Sequence, residues 1–272
     1  LIWRKFESDL LPATDLHFTD ARRSPLDSLT SAAASGIRAR IESLDMLANN
    51  IANASSPGFK TDRESFGLYL SEEAIDSPAG TTPTVLPVTQ RQWTDFAQGS
   101  ITPTGNQLDL ALNGKGFFVA NAPSGPVFTR DGSFQVSKQG ELETQDGYPV
   151  QSLDGQPIQL DASKAVDIGS DGMVRQDGQD ISQISIVDFP DSAVLSKQGN
   201  NYFRMDVSTL QPAPAASAEI QQGKLEAANS QPTESAVRLV TVMRQFEGLQ
   251  KALAIGNEMN REAVQDVAKV AS

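Results

Sequence analysis

Asn113-Gly114-Lys115-Gly116 is the stretch that comes nearest to a nucleotide site. A phosphate loop needs an earlier glycine, so that backbone amides can wrap the anion, and a Ser or Thr directly after the lysine. Both are missing, and Asn-Gly reads as a hairpin turn. Asp167, Asp171 and Asp177 could offer oxygens to calcium, but no spacing gives the alternating acidic loop closed by a Glu, and turn formation accounts for them. The one histidine, His17, leaves no Ser/His/Asp set and no histidine metal site. Paired carboxylates could hydrolyse glycosides, yet the aromatic platforms that hold sugars are scarce, with 2 Trp and 3 Tyr. Asn53-Ala54-Ser55 fits a glycan acceptor, a three-residue pattern of low specificity. No catalytic residue, no cofactor and no metal ligand is predicted, and the chain is expected not to be an enzyme.

Composition narrows the class further. The formal charge is −12, from 34 acidic and 22 basic residues, and no cluster of Lys or Arg offsets it. Nucleic acid is therefore not an expected partner, because phosphate binding depends on such clusters. There is no cysteine, so the chain uses neither disulfide nor thiolate, and passage into an oxidising compartment carries no risk of mispairing. No apolar run approaches the ~20 residues needed to cross a bilayer, and residues 1–25 lack the apolar core of a secretory signal. Export, if it occurs, is expected to take another route.

With no chemistry to position, the long elements become the subject. Leu239, Val242, Phe246, Leu249, Leu253 and Gly256, then Asn260, Ala263, Val267 and Val270, alternate in steps of three and four. That spacing is a heptad seam on a helix of about 35 residues, roughly 50 Å long, opened by Pro232 with Glu234 in its first turn. Leu26, Leu29, Ala33, Ile37, Ile41, Leu44, Leu47 and Ile51 repeat the spacing near the other end. The two helices could form an ordinary hairpin within one subunit. Seams of this length also offer more apolar surface than one pairing hides, which points to contacts between subunits.

Between the helices the pattern changes. Residues 1–25 read as a tail, or as a segment upstream of the true start, with Leu26 standing where a start codon could be read as Met. Asn49, Asn50 and Asn53 lead into Ser56-Pro57-Gly58-Phe59-Lys60, where amides and Pro-Gly stop the helix and turn the chain. Residues 72–92, with Pro78, Gly80, Pro83 and Pro87, read as an extended connector. From Trp93 onward, Asp-Gly turns at 131, 146, 154, 171 and 177 separate short runs such as Gly116-Phe117-Phe118-Val119. The expectation is an α+β chain: a helical unit from 26–71 plus 222–272, with a β-rich antiparallel unit inserted at 93–221.

These motifs together resemble the flagellar basal-body rod and hook family. The resemblance rests on Ala48 to Asn53 with Ser56-Pro57-Gly58-Phe59-Lys60, then Leu108 to Phe118, Phe128-Thr129-Arg130-Asp131-Gly132-Ser133-Phe134, Gly147 to Gln151, and Gln222-Gly223-Lys224-Leu225-Glu226-Ala227-Ala228-Asn229. It spans residues 26–272 in order. Arg244-Gln245-Phe246-Glu247 and the modest length look most like the proximal rod protein; the distal rod and hook proteins are the near alternatives. A secreted β-domain adhesin with oligomerising helices is the alternative from another class.

The resemblance implies a structural subunit of the bacterial flagellum, in a shaft that crosses the periplasm. Its partners would be itself, other rod subunits and the flagellar type III export apparatus, with no direct membrane span. It implies that the terminal helices form a coiled coil in the inner part of the tube. The assembly seam would then run through Leu29, Ile37 and Leu44 on the first helix and Leu239, Val242, Phe246, Leu249 and Leu253 on the last. Asn49, Asn50, Asn53, Pro57, Gly58, Phe59 and Lys60 would form the corner through which the chain leaves the helix.

Overall fold

Pro25 opens the first helix, α1 (Pro25–Ala52), where its missing amide hydrogen is not needed. The computed structural model describes residues 25–70, 85–190, 194–205, 212–215 and 217–270. The tail expected at 1–25 therefore lies, but for Pro25, outside the described residues, as does the 72–84 part of the expected connector. α1 ends in the asparagine corner: Asn53 donates both its amide hydrogen (3.1 Å) and its side-chain Nδ2 (3.0 Å) to the Asn49 carbonyl. Gly58 then takes a φ of +66°, which favours glycine.

Two long strands follow, β1 (Asp62–Leu70) and β2 (Val85–Thr94), paired antiparallel from Asp62 opposite Thr94 to Leu70 opposite Val85. Residues 85–92 of the expected connector are thus in a ladder. Pro87 sits in the two-stranded pair, where an unpaired edge tolerates its missing donor.

Short strands then come in quick succession: β3 (Ile101–Pro103), β4 (Leu110–Asn113), β5 (Phe117–Ala122), β6 (Gly125–Thr129), β7 (Phe134–Val136), β8 (Leu142–Thr144), β9 (Val166–Ile168), β10 (Met173–Gln176) and β11 (Gln179–Gln183). The remainder are β12 (Ile186–Asp188), β13 (Leu195–Lys197), β14 (Tyr202–Met205), β15 (Ala213–Pro214), β16 (Glu219–Gln222) and β17 (Lys224–Glu226). The largest sheet has the order β13-β14-β6-β5-β12-β15, and every pairing described is antiparallel. The returning strands β16 and β17 pair with the early strands β4 and β3, so the β region is closed by its own two ends.

Its interior is apolar and well filled. Leu110, Leu112, Phe118, Leu142, Val150, Ile158, Val174 and Ile184 belong to one buried cluster. Phe117, Phe128, Phe189 and Phe203 form a second, joined edge-to-face at 4.8–5.8 Å where Phe117 meets Phe189 and Phe203, and Phe128 meets Phe189.

The last helix, α2 (Pro232–Val270), has Pro232 in its first position and Glu234 in its first turn. It packs on the end of α1 where Met46, Leu47 and Val242 meet, flanked by Leu44 and Leu239. Fourteen residues back from Leu47, Ala33 is buried; fourteen on from Val242, Gly256 is buried. In an antiparallel pair these lie level with one another, roughly 21 Å from the first contact. The face buried on α1 runs Ala33, Gly36, Ala39, Ser43, Met46, Leu47 and Asn50. Small side chains dominate it, and the Ser43 hydroxyl is satisfied by the Ala39 carbonyl at 3.0 Å. The protein is therefore α+β, with a helix at each end and an antiparallel β region between them.

Candidate functional site

The corner after α1, the end of β6 and the segment after β17 are far apart in the sequence and meet in one buried junction. Its centre is the Glu226 carboxylate. Lys60 Nζ donates to Glu226 Oε1 at 2.6 Å, Arg130 Nη1 to Oε2 at 3.2 Å, and the Gly99 amide to Oε1 at 2.8 Å. The three side chains are buried, at 5% exposure or less. Lys60 also donates to the Ala97 carbonyl (2.8 Å), and Arg130 Nη2 to the Gly114 carbonyl (2.7 Å). Burial pulls the Lys60 ammonium below its ordinary pKa while Glu226 pulls it back, and Arg130 is lowered for the same reason with the same opposition.

A buried ion cluster of this kind adds little net stability over well-packed apolar side chains, but deleting one partner costs about 3–5 kcal/mol because the others are left uncompensated. Its value is geometric. One carboxylate fixes the corner (Lys60), the end of β6 (Arg130) and the loop before β3 (Gly99) in a single arrangement.

Backbone and amide bonds surround this centre. The Gly58 amide donates to the Glu226 carbonyl at 2.7 Å, and a Cβ on Gly58 would fall on the Arg130 carbonyl and the Asp131 amide. Asn229 accepts from the Thr61 amide (2.8 Å) and donates to the carbonyls of Asp95 (2.7 Å) and Ala97 (3.0 Å). Asn50 exchanges two bonds with the Asp62 backbone, at 2.9 and 3.0 Å. Asn201 donates to the Pro57 carbonyl (3.1 Å), and Lys197 reaches the Lys60 carbonyl (2.6 Å) and lies over the Phe59 ring. The polar side chains of the corner are thus spent on holding the chain.

Of the corner residues singled out in the sequence, Asn50, Pro57, Gly58, Phe59 and Lys60 take part in this junction, while Asn49 and Asn53 bond one another across the last turn of α1. On the helices, Leu44, Leu239 and Val242 share one apolar cluster; Ile37, Phe246, Leu249 and Leu253 are half-buried, and Leu29 lies on α1. Sequence reasoning missed the ion cluster, although Lys60, Arg130 and Glu226 each stand in a quoted motif. The available signal was a charge fixed among apolar and glycine positions in three separate motifs.

Of the acidic positions considered for calcium, Asp171 and Asp177 lie in turns and Asp167 lies on β9 opposite Arg175. Asp171 Oδ1 accepts from the Met173 amide at 3.1 Å, and Asp177 pairs with Lys164 at 2.6 Å. The Asn113-Gly114 turn likewise spends its polar groups internally, the Gly114 amide donating to Gln98 at 3.1 Å and its carbonyl accepting from Arg130. No described helix is long and apolar enough to cross a membrane.

Comparison with known proteins covers the same three parts. Residues 31–60 match the family described as flagella basal body rod protein, residues 111–176 the flagellar hook protein FlgE/F/G D1 domain, and residues 221–266 the flagellar basal body rod FlgEFG protein C-terminal family. The chain is 36% identical over 230 residues to the flagellar basal-body rod protein FlgF of Caulobacter vibrioides, covering 84% of this chain and 92% of the relative. It is 33% identical over 208 residues to FlgF of Mesorhizobium japonicum, covering 75% and 83%. It is 31% identical over 254 residues to the flagellar basal-body rod protein FlgG of Bacillus subtilis, covering 85% and 95%. On this similarity, which runs through both helices, the corner and the β region, the chain belongs to the flagellar basal-body rod protein family, whose members are structural components of the basal body and not enzymes.

Proposed function

We propose that the protein is a subunit of the proximal rod, joining copies of itself and other rod subunits through a coiled coil of its terminal helices. One observation carries this reading. α2 is 39 residues long, yet Val242 and Gly256 are the positions buried among its described side chains, while Val237, Val240, Met243, Ile255 and Met259 are exposed. A helix with apolar residues on so much of its circumference is built to be covered by more than one neighbour.

In this reading the helical unit of 26–71 plus 222–272 forms the inner wall of the shaft, and the β-rich unit of 93–221 stands outside it. The seam residues Leu29, Ile37, Leu44, Leu239, Val242, Phe246, Leu249 and Leu253 lie between helices of the same and adjacent subunits. The junction around Glu226 carries load from the wall to the outer unit. Subunits reach the periplasm through the flagellar type III apparatus, a route that suits a chain without cysteine.

Deleting the gene in its host and imaging purified basal bodies tests the reading. The expected result is loss of swimming with the shaft stopped near its base, restored by the intact gene. Rotating flagella of normal structure in the deletion strain would overturn it.

A further inference from the structure

Two surface features outside the junction fit one another. The first is a groove of about 860 Å³ between the later half of α1, the end of β2 and β13. Arg91, Gln92, Trp93 and Thr94 line it in succession, as do Leu195, Ser196 and Lys197. Neighbouring residues on a strand point to opposite faces, so the groove runs along the edges of these strands. β2 belongs to a two-stranded pair and β13 ends the six-stranded order, so each sheet stops there. Met46, Phe96 and Leu195 give the groove an apolar lining. Trp93, 39% exposed, stands at it with the Arg91 guanidinium over its ring.

The second feature is the turn at 152–155. Ser152 is buried; its amide donates to the Gln156 carbonyl and its carbonyl accepts from the Gly155 amide, both at 2.9 Å. That fixed base presents Leu153 and Asp154, both exposed. Leu153, at 56%, is the most exposed large apolar side chain described in the β-rich unit. Asp154 has no cation paired with it among the described residues, and Arg91 has no carboxylate.

We propose that the turn of one copy seats in the groove of a second copy, with Leu153 against Trp93 and the apolar lining, and Asp154 on Arg91. Both halves of the fit belong to this chain, which favours a second copy over an unrelated partner. Trp and Arg at the edge of a pocket are the residue types that dominate interface energies, and a turn held in place beforehand loses little freedom on binding. Charge fixes how the turn enters: Glu42 and Asp45 on the α1 side repel Asp154, and Arg91 on the β2 side attracts it. Turn and groove are different surfaces, so the contact is head-to-tail and does not close between two copies; repeated, it makes a ring or an open helical row. That copies lie beside one another in a shaft rests on the rod reading. The turn residues are outside the two large buried clusters, so the contact leaves the core of the β region as it is.

The chain has no cysteine, so introduced ones report the contact directly. In basal bodies from a strain carrying only the variant gene, Gln92→Cys with Asp154→Cys should give dimers and longer ladders with a short bismaleimide. Either cysteine alone should give none. Arg91→Asp, or Asp154→Arg, sets like charges together and should cut incorporation into basal bodies at least about tenfold. The two reversals combined should restore it, and none of the three should lower the melting temperature of the isolated chain. Three results overturn the contact: basal bodies that contain the protein but give no ladder, incorporation untouched by either single reversal, or a double reversal no better than the single ones. Absence of the unaltered protein from purified basal bodies would instead sink the rod reading, and this contact with it.

Discussion

The β region and the last helix use apolar residues in opposite ways. In the β region Leu110, Leu112, Phe118, Leu142, Val150, Ile158 and Val174 are wholly buried in one cluster, and the early strands β3 and β4 pair with the last strands β17 and β16. α2 exposes Val237, Val240, Met243, Ile255 and Met259 along one side, and its strip toward α1 is mostly half-buried. The core of the first region is complete within the single chain, because each side chain of that cluster has its neighbours there. The second has surface to spare. The lesson is that the stability of the subunit and its capacity to assemble are held in separate parts, joined by the polar junction around Glu226.

Substitutions can break that division. Phe118→Ala, which removes a buried ring set edge-on to Phe134, should cost about 3–5 kcal/mol and lower the thermal transition of the purified chain. An equal loss at Phe246→Ala would mean the two regions are not separate. Glu226→Gln should cost about 3–5 kcal/mol by leaving Lys60 and Arg130 uncompensated, and denaturant titration would read it. Replacing all three by Met should recover most of that loss while relaxing the junction, seen as faster amide exchange at Gly58 and Gly99.

Gly58→Ala forces a side chain into a left-handed position against the Arg130 backbone, at about 1–3 kcal/mol, and swimming should suffer more than melting of the β core. Normal swimming with Gly58→Ala and Pro57→Ala together would remove the corner from the account. Phe246→Ala should cost about 1 kcal/mol or less in the isolated chain, because the ring is half-buried there, yet it should block co-assembly, measured by basal-body imaging.

The smallest effect is at Asp131. Burial raises its carboxyl above the ordinary 3.8, so holding it charged costs stability at neutral pH, and the cost disappears as the pH falls below 3.8, where both states are protonated. Asp131→Asn keeps an acceptor for the Ser133 amide. It should raise the melting temperature at pH 7, with the gain shrinking toward zero near pH 3; a gain independent of pH would point to another cause.

Much of this protein was legible in the residues. The helix at each end shows in the three-and-four spacing of Leu239, Val242 and Phe246, and of Ala33, Ile37 and Leu44. The β region shows in its Asp-Gly turns, because a turn needs particular residues at particular places whatever surrounds it. The strand from Val85 did not show, since prolines and threonines there read as a connector, and its partner lies across an intervening segment. Nor did most of the face buried on α1: Ala33 and Leu47 stand in the spacing, but close approach selects small residues, and Gly36, Ala39 and Ser43 look neutral in a sequence.

By itself the sequence determined the local states, helix, turn and alternating strand, because each depends on residues within a few positions of one another. It also carried the family, through motifs spread over most of the chain. Tertiary structure alone decided that Lys60, Arg130 and Glu226 share one carboxylate, and that Glu64 faces Arg238 across two elements. Those contacts join residues up to 174 positions apart, and which charge meets which depends on how the whole β region closes between them.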